Sequence, residues 1–332
     1  MSRISRINTI FGVAGIPLIT GATGFAGRHL LESLLSDDVD VHAWSNARGR
    51  PVDPALASDA RIRWRAVDLL DRTSVGAALE AARPAVIYHC AGFADDHRSW
   101  QEPVAALRGN VLATHYLLES ARHLALDARI VIAGSALIYR PSSDAIAEDS
   151  PIGPTSPYGV SKLAQEMLAA QSPLPVLLAR PFNHAGPRQG PAFVTSAFAK
   201  QLAEVEAGLS EPILRVGNLD ARRDLTDVRD TVRAYRALAE HGRPRRPYNV
   251  CSGRAFRIRE LLDILLSLAR VHVNIEVDPA RLRASDNPVV LGSPARINRE
   301  TGWEPAIPIE RTLSDLLSFW RAAVIEEQSA RR

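Results

Sequence analysis

A doubly wound, parallel α/β sheet with a smaller C-terminal α/β lobe is the fold class predicted for this chain of 332 residues, and three observations predict it. Short apolar runs alternate with stretches of helical spacing through the first half, the rhythm of successive right-handed βαβ crossovers. Two of those runs, residues 85–90 and 130–133, have the continuous apolar character of central strands covered on both faces. A glycine-punctuated turn from Gly21 to Gly27 joins the first run to the first helix. Hydrophobic residues make up 46% of the chain, enough for a substantial core. The length suits one large domain or a domain with a smaller lobe.

Taken in order, residues 18–20 are the first strand, with Pro17 tolerable only at its start. Residues 25–35 have helical spacing through Phe25, Leu30, Leu31, Leu34 and Leu35. Strands are expected at 39–44 and 62–67, and a helix at 73–82 that stops before Pro84. The runs at 85–90 and 130–133 supply the central strands. A helix starts at Pro157 with Ser156 as its cap, because a proline's missing N–H is no loss in a first turn. Residues 176–179 form the next strand. Beyond Pro181 prolines and arginines become denser and strands shorter, which predicts a second lobe built largely from 193–208, 257–269 and 281–320. Residues 227–240 read as a helix returning to the first unit. The expected division is 14–182 with 224–250 as the first domain, and 183–223 with 251–322 as the second lobe. The tail 326–332 is expected to fray.

Bulk charge excludes some functions. Forty basic residues against thirty-seven acidic ones give a net charge of +3, with no basic stripe interleaved with aromatics for nucleic acid. Arginines gather between Arg215 and Arg283, either as a solvated face or as a site for a small phosphorylated ligand. Cys90 and Cys251 lack CxxC spacing and read as buried small hydrophobes in a reducing compartment, hence a cytoplasmic protein. No His and Cys group has zinc-ligand spacing, so no metal is expected. The apolar run 10–19 is interrupted by Gly12, Gly15 and Pro17, and no stretch is long enough to span a bilayer.

The chemistry begins at Gly21-Ala-Thr23-Gly24-Phe25-Ala-Gly27. Gly21 permits the tight turn, Gly24 the approach of a pyrophosphate, and Gly27 close packing of helix and sheet. The helix N-terminus then faces phosphate with free N–H groups. This is a dinucleotide site of the Rossmann kind. At the end of the second strand stand Ser45 and Asn46, with Arg48 and Arg50 behind and no carboxylate to take a ribose 2′-hydroxyl. That favours NADPH over NADH if the arginines pair with a 2′-phosphate; otherwise they face solvent. Asp68, followed by Leu69, accepts from the adenine amino group or caps its own turn. Tyr158 and Lys162, four apart, share one face of a helix. A nearby ammonium is expected to lower the phenol's pKa and suit it to proton donation; the alternative is a surface pair. Ser135 lies just past a strand's carboxyl end, where ligands bind in such sheets.

With GxxGxxG, Ser135 and YxxxK, the chain resembles the extended short-chain dehydrogenase/reductase family over roughly residues 17–320. The resemblance implies that Asn110 holds the active-site geometry and that Ala91, Gly92, Arg180 and Pro181 lie at the cofactor. A narrower likeness joins Arg180-Pro-Phe-Asn-His-Ala-Gly-Pro-Arg-Gln189 and Val216-Gly-Asn-Leu-Asp-Ala-Arg-Arg-Asp-Leu-Thr-Asp-Val228 to GDP-mannose 4,6-dehydratases and GDP-4-keto-6-deoxy-mannose reductases. It implies that Asn183, Arg223 and Arg283 contact the nucleotide diphosphate. Related dehydratases carry a carboxylate directly after the catalytic Ser or Thr, and related epimerase-reductases a cysteine two places after it. Here those positions are Ala136 and Leu137, which move no proton. What remains is the equipment for carbonyl reduction.

The resemblance therefore implies an NAD(P)H-dependent 4-ketoreductase acting on a GDP-linked deoxy-keto-sugar. The rivals are a nucleotide-sugar 4-epimerase with retained NAD and a catalytically silent dinucleotide-binding scaffold. It also implies a homodimer through helices flanking the YxxxK helix, where Val160, Leu163, Met167 and Leu168 are apolar, as a core face would also be. Four departures stand out: Arg140 after Tyr139 and Arg188 replace glycines, Leu225 replaces an aromatic, and Phe93-Ala94-Asp95-Asp96 replaces a small polar loop.

Overall fold

The structure, a computed structural model, describes residues 9–10, 13–46, 53–282 and 287–331. Strands β1 (Leu18–Thr20), β2 (Val41–Ser45), β3 (Ile62–Ala66), β4 (Val86–His89), β5 (Arg129–Ala133) and β6 (Val176–Pro181) lie side by side in the order β6-β5-β4-β1-β2-β3, every pair parallel. Helices α1 (Phe25–Ser36), α2 (Arg72–Ala82), α3 (Ala113–His123) and α4 (Pro157–Ala170) make the crossovers. The chain then leaves the sheet through β7 (Asn183–Ala185), α5 (Val194–Glu206), β8 (Ile213–Val216) and β9 (Arg222–Asp227). It returns as α6 (Val228–His241) and β10 (Pro247–Val250), which pairs in parallel with β6 and completes a seven-stranded Rossmann sheet. Strand β11 (Ala255–Arg257), α7 (Ile258–Leu268), β12 (Asn274–Val277), β13 (Val289–Val290), α8 (Ala295–Thr301) and α9 (Ile309–Arg331) follow.

Successive strand residues point to opposite faces, so each central strand feeds two cores. Leu18, Ile87, Ile130 and Ile132 pack with Val75 and Leu79 of α2 and Leu117 of α3. Ile19, Tyr88 and Val131 pack on the other face with Leu30, Leu31 and Leu34 of α1 and Val232, Tyr235 and Leu238 of α6. A further core lies outside the sheet, where Phe198, Leu202, Leu214, Leu262, Leu265, Leu316, Leu317 and Trp320 meet.

Three expectations change. Strand β2 starts at Val41 rather than at residue 39, because Asp38 takes a left-handed φ of 58° and uses the next residues to leave α1. The tail does not fray at residue 326: α9 runs to Arg331, its Val324 held in the outer core. Residues 251–322 do not all serve the second lobe. Ile297 of α8 and Trp303 belong to the sheet's own core beside α6, and Trp303 Nε1 donates to Asp230 O at 3.0 Å. The carboxyl ends of β1, β4, β5 and β6 collect the glycine turn, Ala91, Ser135 and Asn183 along one edge.

Candidate active site

The glycine turn is closed by Gly24 N donating to Gly21 O at 2.9 Å, with Gly21 at φ +69°. A Cβ on Gly24 would stand 3.0 Å from Gly21 O, and one on Gly27 only 2.1 Å, so side chains there would fill the cradle. Gly24 caps α1 without a side chain, which leaves the first-turn N–H groups for an anion. A dinucleotide pyrophosphate fits such a cradle. Thr23 is half-buried in the turn. Phe25 stacks on His184, with centroids 5.7 Å apart, and ties the turn to β7. Ser45 ends β2 half-buried and Asn46 follows exposed, whereas Arg48 and Arg50 lie outside the described residues. Asp68 Oδ1 accepts from Leu70 N at 2.9 Å, the turn-capping alternative, and Leu69 packs against the α2–α3 core.

Asn110 clamps the loop after β4. Its Oδ1 accepts from Phe93 N at 2.9 Å, and its Nδ2 donates to Phe93 O at 3.1 Å and to Ser161 Oγ at 2.9 Å. Gly92 has no room for a side chain, since a Cβ would come within 2.5 Å of Asn110 Oδ1. Ala91 N donates to Thr20 Oγ1 at 3.3 Å, which fastens this loop to β1.

Ser135, Tyr158 and Lys162 come together and are all buried. Ser156 accepts from Gly159 N at 3.1 Å and Pro157 occupies the first turn, so α4 begins where its residues favour a start. The Ser135 side chain lies near enough to the Tyr158 phenol to favour its ionised form, and it accepts from Leu137 N at 3.1 Å. Lys162 Nζ donates to Ala133 O at 2.8 Å and Gln165 Oε1 at 3.0 Å, and lies 5.9 Å from the Tyr158 ring centroid. Burial pushes the Tyr158 phenol up to about 12, against the pull of the neighbouring Ser135. Burial also brings the Lys162 ammonium down to about 8. The expected lowering of the phenol by the ammonium is therefore corrected: desolvation dominates, and Lys162 is not among the groups that shift Tyr158.

The structure adds groups that sequence reasoning passed over. Asp96, from the divergent 93–96 segment, accepts from Ser156 Oγ, and its negative charge raises the Tyr158 pKa further. Ser99 Oγ accepts from Tyr158 N at 3.0 Å. The signal available was position: both follow the carboxyl end of a central strand. Gln165, on Lys162, was available from helical spacing, since residues three apart are neighbours.

Arg180, expected at the cofactor, is corrected. Its Nε and Nη2 bind Glu166, and Nη1 donates to Tyr139 Oη at 2.6 Å and Glu148 O at 2.9 Å. The buried guanidinium has a full set of partners inside the fold, while Pro181 ends β6 beside Val250. Asn183 is exposed on β7 and pairs in register with Leu225, two residues from Arg223, so Asn183 and Arg223 share a sheet face. Arg223 Nη1 donates to Arg222 O and Asn287 O, at 2.8 and 2.7 Å. Arg283 lies outside the described residues. Arg188 takes a left-handed φ of 72°, which accounts for glycine at that place in similar segments, and its guanidinium ties to Glu32 of α1.

The sequence profile of the GDP-mannose 4,6 dehydratase family matches residues 18–316. The chain is 36% identical over 316 residues to the GDP-6-deoxy-D-mannose reductase of Pseudomonas aeruginosa, covering 93% of this chain and 98% of that protein. Its structure is similar to that of RMD from Pseudomonas aeruginosa complexed with NADPH, at a TM-score of 0.81 and 32% identity, covering 93% of this chain and all of the other. It is also similar to the Thermus thermophilus UDP-glucose 4-epimerase complex with NAD, at a TM-score of 0.80 and 28% identity, covering 92% of this chain and 99% of that one. On the profile match and the reductase identity, this chain belongs to the GDP-mannose 4,6 dehydratase family within the extended short-chain dehydrogenases/reductases.

Proposed function

We propose that this protein is an NADPH-dependent ketoreductase that reduces the C4 ketone of GDP-4-dehydro-6-deoxy-D-mannose, or of a close nucleotide sugar, giving GDP-D-rhamnose in the first case. The observation that carries the reading is the buried Ser135–Tyr158–Lys162 cluster with Ala136 and Leu137 beside the serine, where no proton-moving group stands. Similarity to the GDP-6-deoxy-D-mannose reductase supports the substrate class. NADPH, when bound, supplies the hydride. Gly21, Thr23, Gly24, Phe25 and Gly27 would hold its pyrophosphate, with Ser45, Asn46 and Arg48 toward the adenosine end. Tyr158 donates a proton to the developing C4 alkoxide and Ser135 hydrogen-bonds the same oxygen. Lys162 keeps a positive charge beside the phenol. Asn183, Arg223 and Arg283 bind the diphosphate, so that binding remote from the reacting carbon positions it. Residues 14–182 with 224–250 serve the cofactor; 183–223 and most of 251–322 serve the sugar nucleotide.

A homodimer is part of this reading. Trp100, Val104, Leu107, Val160 and Met167 are exposed, and Pro103–Leu107 and the start of α4 border a cavity of about 440 Å³. That apolar surface suits a second copy of the chain. We place the protein in the cytoplasm, in keeping with two unpaired thiols. Among the described residues no helix is long and apolar enough to cross a membrane, and no cluster could hold a metal.

The test is anaerobic incubation with GDP-4-keto-6-deoxy-mannose and NADPH, followed by NMR of the sugar. One NADPH oxidised per new C4 hydroxyl is expected. An enzyme that leaves the ketone and NADPH unconsumed but inverts the C4 hydroxyl of an unoxidised GDP-hexose, with NAD retained, is an epimerase instead, and binding with neither turnover identifies a scaffold.

A further inference from the structure

From Lys162 a chain of buried polar groups runs back to the glycine turn. Gln165 Oε1 accepts from Lys162 Nζ at 3.0 Å, and Gln165 Nε2 donates to Thr114 Oγ1 at 2.8 Å. His89 Nε2 is 2.9 Å from the same Thr114 oxygen, and His89 Nδ1 is 2.8 Å from Thr20 Oγ1. Gln165, Thr114, His89 and Thr20 are each at most 1% exposed, and Thr20 directly precedes Gly21.

The protons in this chain have one arrangement. Thr114 Oγ1 donates to the Asn110 carbonyl at 2.7 Å, an oxygen that can only accept. The hydroxyl's single proton is thereby used, so toward its other two neighbours Thr114 is an acceptor. His89 must then carry its proton on Nε2, which leaves Nδ1 to accept from the Thr20 hydroxyl. Thr20 in turn accepts from Ala91 N. Gln165 must give Thr114 its NH₂, and its carbonyl oxygen has only one direction left, toward Lys162. Turning the amide over would place NH₂ against an ammonium and an oxygen against a lone pair.

We propose that Gln165 is a positioning residue for Lys162: its carbonyl, locked in place by Thr114, His89 and Thr20, holds the amine with a neutral acceptor and keeps its positive charge directed at Tyr158 and the cofactor. The inference rests on the function proposed above. Among the described residues, both hydrogen-bond acceptors of Nζ are neutral carbonyl groups, Ala133 O and Gln165 Oε1. The titratable groups around it are also accounted for. Cys90 and His89, on or just past β4, interact electrostatically with it, and burial keeps both neutral. Tyr158 lies on the same helix, and Asp96 acts on Tyr158 from the loop after β4. Glu166, the carboxylate on the next turn, is paired with Arg180 of β6. A carboxylate at position 165 would neutralise the charge that a carboxamide leaves intact.

The sequence makes the test direct, because Lys162 and Lys200 are the chain's only lysines. Protein labelled with ¹³C-lysine gives two side-chain resonances, and Lys200→Arg assigns them. In the wild type Lys162 should titrate at about 8, well below the ordinary lysine value of 10.5. Gln165→Glu should raise its midpoint by roughly one pH unit or more, and Gln165→Leu should lower it. The alkaline limb of kcat/KM should move in the same directions, which a purely structural role would not produce. Thr114→Ser keeps the double acceptor and should leave the midpoint in place, whereas Thr114→Val frees the amide to turn and should lower it. Folded Gln165 variants with an unmoved midpoint would overturn the proposal. Should they not fold, a wild-type midpoint in Thr114→Val overturns it equally. Absence of NADPH oxidation by the wild type would instead sink the functional reading and leave the titration result standing.

Discussion

Lys162 and Glu166 stand one helical turn apart on α4, both largely buried, and the fold treats them in opposite ways. Glu166 meets Arg180 with both carboxylate oxygens, and that guanidinium also reaches Tyr139 and Glu148. Lys162 has neutral carbonyl acceptors, and burial has lowered its pKa to about 8. The first site is charge-saturated and fixes α4 to β6. The second keeps a charge uncompensated, the condition in which a buried group can act on a neighbour. The contrast separates a charge kept for architecture from one kept for chemistry better than burial does, since both are buried.

Five substitutions at four positions break or sharpen that contrast, and one pH profile checks it. Tyr158→Phe should lower kcat by about 10³-fold with NADPH affinity unchanged, read from steady-state rates and a binding titration. Glu166→Ala should destabilise the fold by about 3 kcal/mol, because it strands a buried guanidinium, and denaturant unfolding measures this. Lys162→Met should do the reverse, stabilising the fold by about 2 kcal/mol at neutral pH while abolishing turnover. The sign follows from linkage. The folded pKa of about 8 lies below the ordinary value of 10.5, so the burial penalty is full below pH 8 and disappears as pH rises toward 10.5. The methionine variant's advantage should fade over that window. In the wild type, kcat/KM should fall as pH rises through about 8, where the amine of the free enzyme loses its charge. The smallest effect belongs to Arg188. Arg188→Ala keeps the left-handed strain and loses the tie to Glu32, for about 1 kcal/mol of destabilisation, whereas Arg188→Gly should melt close to the wild type.

The first lobe was legible because its signals are local. Leu18–Thr20, the Gly21–Gly27 turn and the Pro157 helix start each depend on residues within a few positions of one another. The register of Tyr158 and Lys162 is set by one helix. Arg180 was misread because its partners Glu166, Tyr139 and Glu148 come from other elements, and only packing reveals that its charge is already matched. The Tyr158 pKa was misread for a related reason: a sequence shows the ammonium four residues away but not the desolvation that dominates at the phenol. Asp96 was noticed only as a departure from similar sequences, since its closeness to Tyr158 depends on a loop folding over the start of α4. That the stretch around α8 packs on the sheet also escaped notice, because Ile297 and Trp303 reach the sheet's core from a region whose composition matches the second lobe.

The late return of the chain to the sheet sets an order of events during synthesis. Strand β6 has no neighbour on its outer side until β10 arrives, and β7 through α6 must be made in between. The growing protein therefore carries an open apolar edge at the tunnel exit while its outer core is still short of α9. Pairing across such a sequence separation is slow. Chains cut off before Pro247 should be the aggregating species of this protein, and chaperone demand should peak over that interval of translation.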